Sequence, residues 1–275
     1  MVKNTLTNNN ESEPGVNKIA FVHHKGGTGK TTSCLNIAGW LAKMEKKVLV
    51  VDLDPQGNAT AGLGVDRNSC EGSVYDVFFG QIGLRDIILE TESGVYLAPS
   101  SMQLMTVEMR LGEAISNTGI LKESFSHVEE NFDYILIDVP PGSMLLMANA
   151  IVASENIIIP LDSGIFAYET LEVLKTLVTD LQAELGVETN VMMVLLREYS
   201  TSLLDKRTTN GLKRLLKKFL AENGIGDVKV FTIPFSRKVY WSQMKGMPIS
   251  HYAAPSKVGR AYKELAEEVL CYQYE

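Results

Sequence analysis

The stretch that decides the fold lies at residues 18–54 and reads KIAFVHHKGGTGKTTSCLNIAGWLAKMEKKVLVVDLD. It begins with a short apolar run at residues 19–22 and continues through a glycine-rich loop. Apolar residues then recur at helical spacing, and a second apolar run ends at Asp52. This order of strand, loop, helix and strand predicts a βαβ unit with a ligand site at the loop.

The loop itself, KGGTGKTT at residues 25–32, predicts a phosphate-binding site. It resembles the P-loop pattern G-x-x-x-x-G-K-[ST], except that His24 stands where the pattern has its first glycine. Glycines let backbone amides approach phosphate oxygens, and the positive end of the following helix points at the same place. We expect Lys30 to reach the β- and γ-phosphates and the Thr31 hydroxyl to hold Mg²⁺. The predicted nucleotide-binding residues of the loop are Lys25, Gly26, Gly27, Thr28, Gly29, Lys30, Thr31 and Thr32.

Two acidic positions follow apolar runs further along the chain. Residues 52–60, DLDPQGNAT, come directly after the second predicted strand, and residues 131–138, NFDYILID, predict a strand that ends at Asp138. Ligands gather at the carboxyl ends of strands in α/β sheets. Beside a P-loop, Asp138 is therefore predicted to be a Walker-B aspartate on the metal side, although a turn aspartate would be preferred in isolation. Asp52 is predicted mainly to hydrogen-bond its own loop.

Strands alternate with helices along the rest of the chain. Apolar runs at residues 95–100, 157–161, 191–196 and 228–233 predict strands, and residues 167–185, 203–223 and 257–270 predict helices. We therefore predict an α/β fold of the P-loop NTPase type, with a mostly parallel twisted sheet flanked by helices on both faces. Residues 18–275 are predicted to form one domain and residues 1–17 a mobile tail. Residues 102–115 have helical periodicity, and Met105, Met109 and Leu111 are predicted to face the core.

Composition narrows the possible functions. The chain has no apolar run long enough to span a membrane and no signal-peptide pattern, so a cytoplasmic location is predicted. Its three cysteines are far apart, which favours reduced thiols over disulfides or a metal cluster. The net charge is −7, yet residues 197–263 contain 14 Lys or Arg and 4 Asp or Glu. This basic segment in an otherwise acidic chain favours an anionic surface partner.

The loop at residues 25–32, the run at 52–60 and DVPP at 138–141 together resemble the deviant Walker A ATPases of the ParA/MinD group, and within it the ParA/Soj partition proteins. A fainter similarity covers residues 233–248 and 259–269. The resemblance implies an ATPase that uses ATP and Mg²⁺, forms a nucleotide-sandwich homodimer and binds DNA without sequence preference. It also implies release from DNA after hydrolysis stimulated by a ParB-like partner. Such a protein would segregate plasmids or chromosomes and associate with the nucleoid.

The resemblance further implies roles for individual residues. Lys25 would reach the nucleotide of the other subunit, and Asp54 would position the attacking water. With Lys30, these two residues form the implied catalytic set, while Thr31 and Asp138 would hold the metal. The loop at Pro234 is expected to contribute to adenine recognition.

Lysines and arginines in the C-terminal part would supply the non-specific DNA contacts. The candidates are Lys206, Arg207, Lys213, Arg214, Lys217, Lys218, Arg237, Lys238 and Lys245. Contacts of this kind are cumulative and depend on salt concentration. The alternative interpretation is a solvated helix face with no ligand.

Other functions have their own sequence requirements. A ParA-like ATPase that positions a cargo other than DNA would share all of these motifs. A related protein tyrosine kinase is suggested by Tyr272 and Tyr274, but Lys25 and the PQGN run at residues 55–58 argue against it. A MinD-like membrane switch would need a basic amphipathic C-terminal helix, whereas residues 264–268 are acidic. An iron-protein reductase would need cluster cysteines.

Overall fold

A computed structural model of the chain describes residues 16–112, 115–162, 190–198, 203–222 and 228–272, together with residues 172, 176, 179, 183 and 186. In this part of the chain one sheet contains the strands β1 (Asn17–Phe21), β2 (Val48–Asp52), β3 (Leu89–Glu90), β4 (Tyr96–Ala98), β5 (Tyr134–Asp138), β6 (Asn156–Asp162), β7 (Asn190–Arg197) and β8 (Lys229–Ile233). The helices with described bounds are α1 (Lys30–Lys43), α2 (Asn58–Gly62), α3 (Val74–Phe78), α4 (Leu84–Ile87), α5 (Val107–Leu111), α6 (Ile120–Phe125), α7 (Met144–Ala153), α8 (Leu203–Glu222), α9 (Arg237–Met244), α10 (Ile249–Tyr252) and α11 (Lys257–Cys271).

The order of strands brings the predicted motifs together. The sheet runs β3-β4-β2-β5-β1-β6-β7-β8, and its pairs are parallel except for β3 with β4. Within it, Asp138 of β5 pairs in register with Phe21 of β1 on one side and with Asp52 of β2 on the other. The carboxyl ends of β1, β2 and β5 therefore lie side by side, and the three motif loops leave the sheet at the same edge.

Both faces of the sheet are covered, which explains why its strands read as continuous apolar runs. Alternate residues of a strand point to opposite faces. On one face, Ala20 and Leu49 belong to an apolar layer with residues of α7 and α8. On the other face, Ile19 and Val48 belong to a layer with residues of α1 and α11. These two layers confirm the predicted fold.

The predicted inward position of the methionines was wrong. Met105 and Met109 are 65% and 80% exposed, while Leu104 and Val107 are buried in their place. Residues 102–111 form a 3₁₀ turn followed by the short helix α5, instead of one continuous helix. Because a 3₁₀ turn has three residues per turn, the inward positions shift away from the α-helical spacing that the sequence suggested.

Two predicted segments fall mainly outside the described residues: the tail at residues 1–17, of which Asn17 begins β1, and the helix at residues 167–185. Within the described residues, no helix combines the length and hydropathy that a membrane span requires.

Candidate functional site

The glycine-rich loop joins β1 to α1 with its backbone open to an anion. Gly27 and Gly29 have positive φ angles of 76° and 99°, a conformation that side chains other than glycine adopt only with strain. Gly29 is the N-cap of α1, and no side chain of the described residues hydrogen-bonds this end of the helix. The first N–H groups of a 14-residue helix are thus left for a ligand, as the loop pattern predicts.

Lys30 is held within the loop rather than extended into solvent. Its Nζ donates a hydrogen bond of 3.0 Å to the carbonyl oxygen of Lys25. Burial lowers the pKa of the Lys30 ammonium, while Asp138 and Asp54 act in the opposite direction. The ammonium therefore lies where two acidic side chains and the loop converge.

The histidine before the loop shapes the backbone. The Nδ1 atom of His23 accepts a 2.9 Å hydrogen bond from the backbone N–H of Lys25, and its ring stacks on that of His24. Nδ1 must be unprotonated to accept this bond. His23 therefore helps to fix the backbone at the start of the glycine-rich loop.

Asp138 has the environment expected of a metal ligand. It is fully buried, and neither carboxylate oxygen makes a hydrogen bond of ordinary geometry to a described residue. Burial raises the pKa of the Asp138 carboxyl well above its usual range, Asp52 adds to the rise, and the nearby Thr31 hydroxyl and Lys30 ammonium lower it. A buried carboxylate without donors is unfavourable, and a hard divalent cation is the partner that satisfies it. The residues Thr31 and Asp138 therefore fit Mg²⁺.

The other two aspartates differ in their contacts. Asp52 accepts three hydrogen bonds, from the backbone N–H of Asp54 at 3.0 Å and from the N–H and hydroxyl of Thr60 at 2.7 Å each. Asp52 therefore hydrogen-bonds the loop that follows it, as predicted. Asp54 accepts a 2.9 Å hydrogen bond from the N–H of Gln56 and lines a cavity beside the glycine-rich loop. Even with its three donors, burial raises the pKa of Asp52 to about 6.

A cavity of about 580 Å³ opens above the loop, large enough for a nucleotide. Residues 26–32 and Asp54 form its floor. The remaining wall comes from Gln56, Asn58, Ala61, Gly62, Pro141, Arg197, Tyr240, Gln243 and Met244. Lys25 and Pro234, which were predicted to contact nucleotide, do not line this cavity.

Sequence reasoning missed the far wall of the cavity. Arg197 and residues 240–244 are distant from the glycine-rich loop in sequence, and no local sequence motif connects them to it. One signal was available for Arg197, because it ends β7 at the edge of the sheet where ligands gather. Its side chain lies near the loop, with Cδ 3.7 Å from the position that a Cβ on Gly29 would occupy.

The candidate DNA-contacting residues occupy two separate helices. On α8, Leu212 and Leu216 are buried in the apolar layer on one face of the sheet, while Arg207, Arg214, Lys217 and Lys218 are exposed. Lys213 is half-buried, and the side chain of Lys206 lies outside the described residues. Arg237, Lys238 and Lys245 are exposed on or beside α9, whose Val239 packs against the layer on the opposite face. The candidates therefore do not form one continuous helix face.

The sequence is similar to those of known proteins along nearly its whole length. A family model described as an AAA domain (AAA_31) matches residues 16–192. The sporulation initiation inhibitor protein Soj of Bacillus subtilis is 36% identical over 256 residues, covering 91% of this chain and 97% of Soj. The chromosome partitioning protein ParA of Caulobacter vibrioides is 31% identical over 255 residues, covering 92% of this chain and 93% of ParA. The chain belongs to the ParA/Soj family of ATPases.

Solved structures of other proteins have a similar fold, and two of them contain a nucleotide with magnesium. Cobyrinic acid a,c-diamide synthase from Mycobacterium smegmatis, with bound ATP analogue and magnesium, has a TM-score of 0.76 at 26% identity, covering 93% of this chain and 94% of that one. The septum site-determining protein MinD from Pyrococcus horikoshii, complexed with Mg-ADP, has a TM-score of 0.72 at 27% identity, covering 92% and 96%. The McdA(D38A)–ATP complex from Cyanothece has a TM-score of 0.79 at 20% identity, covering 95% and 99%, and shows the shared fold alone.

Proposed function

We propose that this ParA/Soj family member binds ATP with Mg²⁺ above the glycine-rich loop and hydrolyses it. The observation that carries the proposal is Asp138, whose two buried carboxylate oxygens accept no hydrogen bond of ordinary geometry from the described residues and lie near Thr31 and Lys30. Thr31 and Asp138 would hold a divalent cation at this position, and the cation would satisfy the buried carboxylate. The Mg²⁺ ion, when bound, neutralises charge on the β- and γ-phosphate oxygens.

The chain's own groups account for the remaining steps of hydrolysis. The N–H groups of the loop and of the first turn of α1 bind phosphate oxygens, and Lys30 leaves the Lys25 carbonyl to contact them. Asp54 orients the attacking water and accepts its proton, since its carboxylate lines the cavity and is steadied by the Gln56 N–H. Lys25 contacts the nucleotide of a second subunit, so hydrolysis depends on dimerisation.

The proposed cellular role is DNA segregation by a cytoplasmic, nucleoid-associated protein. In its ATP state, the dimer binds DNA without sequence preference through exposed lysines and arginines, and a ParB-like partner stimulates hydrolysis and release. Two relatives that cover nearly the whole chain are named as chromosome-partitioning proteins, which supports this role over the positioning of another cargo. Two chains joined by ATP would bind far better than one, because phosphate contacts accumulate.

Hydrolysis and assembly can be measured on the full chain. We expect phosphate release from ATP to require Mg²⁺, and size-exclusion chromatography with light scattering to show a dimer with a non-hydrolysable ATP analogue but not with ADP. Lys30→Ala should abolish nucleotide binding, whereas Lys122→Ala, at an exposed lysine of α6, should behave as wild type. Nucleotide binding without Mg²⁺-dependent phosphate release would contradict the proposal.

A further inference from the structure

Helix α9 contacts the glycine-rich loop directly. The side-chain amide of Gln243 donates a 3.1 Å hydrogen bond from Nε2 to the hydroxyl oxygen of Thr32, across 211 residues of sequence. Thr32 lies in the first turn of α1, and both side chains line the 580 Å³ cavity. No motif in the sequence pointed to Gln243, and the proposed mechanism has not used it.

This hydrogen bond orients the Thr32 hydroxyl. A threonine hydroxyl has one proton to donate and two lone pairs that accept. Because the Gln243 N–H occupies a lone pair, the O–H bond of Thr32 must point elsewhere. Thr32 lies at the positive end of α1 and lines the cavity, where the acceptor that the site is built for is a phosphate oxygen.

Gln243 is held in place by further contacts between its segment and α1. The Asn36 side chain donates 2.7 Å from Nδ2 to the Thr32 carbonyl and accepts 2.6 Å at Oδ1 from the backbone N–H of Ile249, the first residue of α10. Gln243 in α9 therefore contacts the Thr32 hydroxyl directly, and Ile249 in α10 is linked to the Thr32 carbonyl through Asn36. These hydrogen bonds hold the segment of Gln243 in place against α1, and they thereby fix the position of the Gln243 amide.

We propose that Gln243 is a positioning residue for nucleotide binding, which directs the Thr32 O–H towards a phosphate oxygen. The inference rests on the proposed nucleotide site. Hydrogen bonds in series strengthen one another, so a phosphate that accepts from Thr32 also strengthens the bond from Gln243. By reciprocity, nucleotide binding then holds α9 more firmly against α1, and α9 carries the exposed Arg237, Lys238 and Trp241.

The test is a double-mutant cycle on nucleotide affinity, measured by calorimetry with ADP and with a non-hydrolysable ATP analogue. Gln243→Met keeps the length of the side chain and removes the donor. We expect about three- to tenfold weaker binding of both nucleotides, the range for one neutral hydrogen bond. Thr32→Val should also weaken binding, and adding Gln243→Met to it should cause no further loss. Gln81→Met, the same change at an exposed position, should bind as wild type.

Two further measurements separate positioning from a general loss of structure. Gln243→Glu, which cannot donate when ionised and adds negative charge, should bind more weakly than Gln243→Met. Hydrogen exchange of residues 237–244 should slow when nucleotide binds to the wild type, and slow less in Gln243→Met or in the smaller Gln243→Ala.

The outcomes also distinguish this inference from the proposed function. Wild-type affinity in both Gln243→Met and Gln243→Ala, or losses that add fully in the Thr32→Val background, would overturn the positioning role and leave the nucleotide site standing. A wild-type protein that binds neither nucleotide would overturn both.

Discussion

Gly246 lies against Gly64 so closely that a Cβ atom on Gly246 would be 2.5 Å from the Gly64 Cα and 2.9 Å from its nitrogen. Both glycines have positive φ angles, 65° and 81°. Gly64 follows α2, which begins four residues after Asp54, and Gly246 follows α9, which carries Gln243. This backbone contact joins two walls of the nucleotide cavity.

Gly246→Ala is therefore predicted to be strongly destabilising. The added Cβ would require an unfavourable left-handed backbone and would displace the Gly64 backbone, so we expect a loss of about 2–4 kcal/mol in the free energy of unfolding. Urea denaturation measures this loss. Gly211→Ala is the matched control, because Gly211 lies inside α8 and, apart from its chain neighbours and the backbone of its own helix, no described residue has an atom within 4 Å of the added Cβ. That substitution should leave stability unchanged or raise it, by up to about 1 kcal/mol. If Gly246→Ala and Gly211→Ala change the free energy of unfolding equally, the contact between Gly246 and Gly64 does not contribute to stability.

Asp138→Asn is predicted to stabilise the nucleotide-free chain while removing its response to Mg²⁺. The substitution removes an ionisable carboxyl that is fully buried and accepts no hydrogen bond of ordinary geometry from the described residues, so the melting temperature without ligand should rise. A ligand at 100 times its Kd stabilises a protein by about 2.7 kcal/mol. The variant should lose most of the stabilisation by nucleotide that depends on Mg²⁺. Thermal denaturation with ADP, with and without Mg²⁺, measures both effects. Asp86→Asn, on the exposed surface of α4, should change neither. An unaltered Mg²⁺ response in Asp138→Asn would remove Asp138 from the metal site.

The stability contribution of Asp52 should depend on pH. Burial raises the pKa of its carboxyl to about 6 in the folded chain, whereas an aspartate in an unfolded chain titrates near pH 4. The folded chain thus holds the proton more tightly, and the free energy of unfolding falls as the pH rises from about 4 to about 6. Over this pH range, the free energy of unfolding of Asp52→Asn should therefore rise by about 1–3 kcal/mol relative to that of the wild type. Urea denaturation at pH 4.5 and 7 measures it, and a difference that does not vary with pH would contradict the prediction.

Asp54→Ala is predicted to separate ATP binding from hydrolysis. The Asp54 carboxylate lines the cavity, while the Lys30 ammonium hydrogen-bonds the Lys25 carbonyl, so loss of Asp54 should leave nucleotide affinity and the ATP-dependent dimer intact. Loss of a general base lowers a rate by about 10²- to 10⁴-fold. Phosphate release and light scattering on the same sample test both parts. Normal turnover would exclude Asp54 from the catalytic role.

The parts of the site that the sequence predicted are those built from local pattern. The loop, Asp52, Asp54 and Asp138 each follow an apolar strand, and parallel strands bring their carboxyl ends to one edge. Gln243 and Arg197 could not be found in this way. Their proximity to the loop depends on how α9 and β7 pack, for which no motif exists. Met105 and Met109 were misplaced because the same apolar spacing has a different inward face in a 3₁₀ turn.

Reversing charge on α8 should weaken DNA binding and its dependence on salt. Arg214→Glu with Lys217→Glu removes two exposed cations, and each lost phosphate contact should lower the slope of log K against log salt by about 0.9. Arg85→Glu with Lys122→Glu makes the same charge change at exposed sites on α4 and α6 and should have less effect. If both pairs reduce binding equally, α8 does not contact DNA and its lysines form a solvated face.

Binding of a fluorescent duplex of arbitrary sequence tests the central claim most directly. It should be measured without nucleotide, with ADP, with ATP and with a non-hydrolysable ATP analogue, each with Mg²⁺ and at two salt concentrations. We predict tight, salt-sensitive binding with ATP or its analogue, and weak binding with ADP or no nucleotide. Affinity for DNA that is the same in all four states, or absent from all of them, would contradict an ATP-controlled DNA-binding dimer.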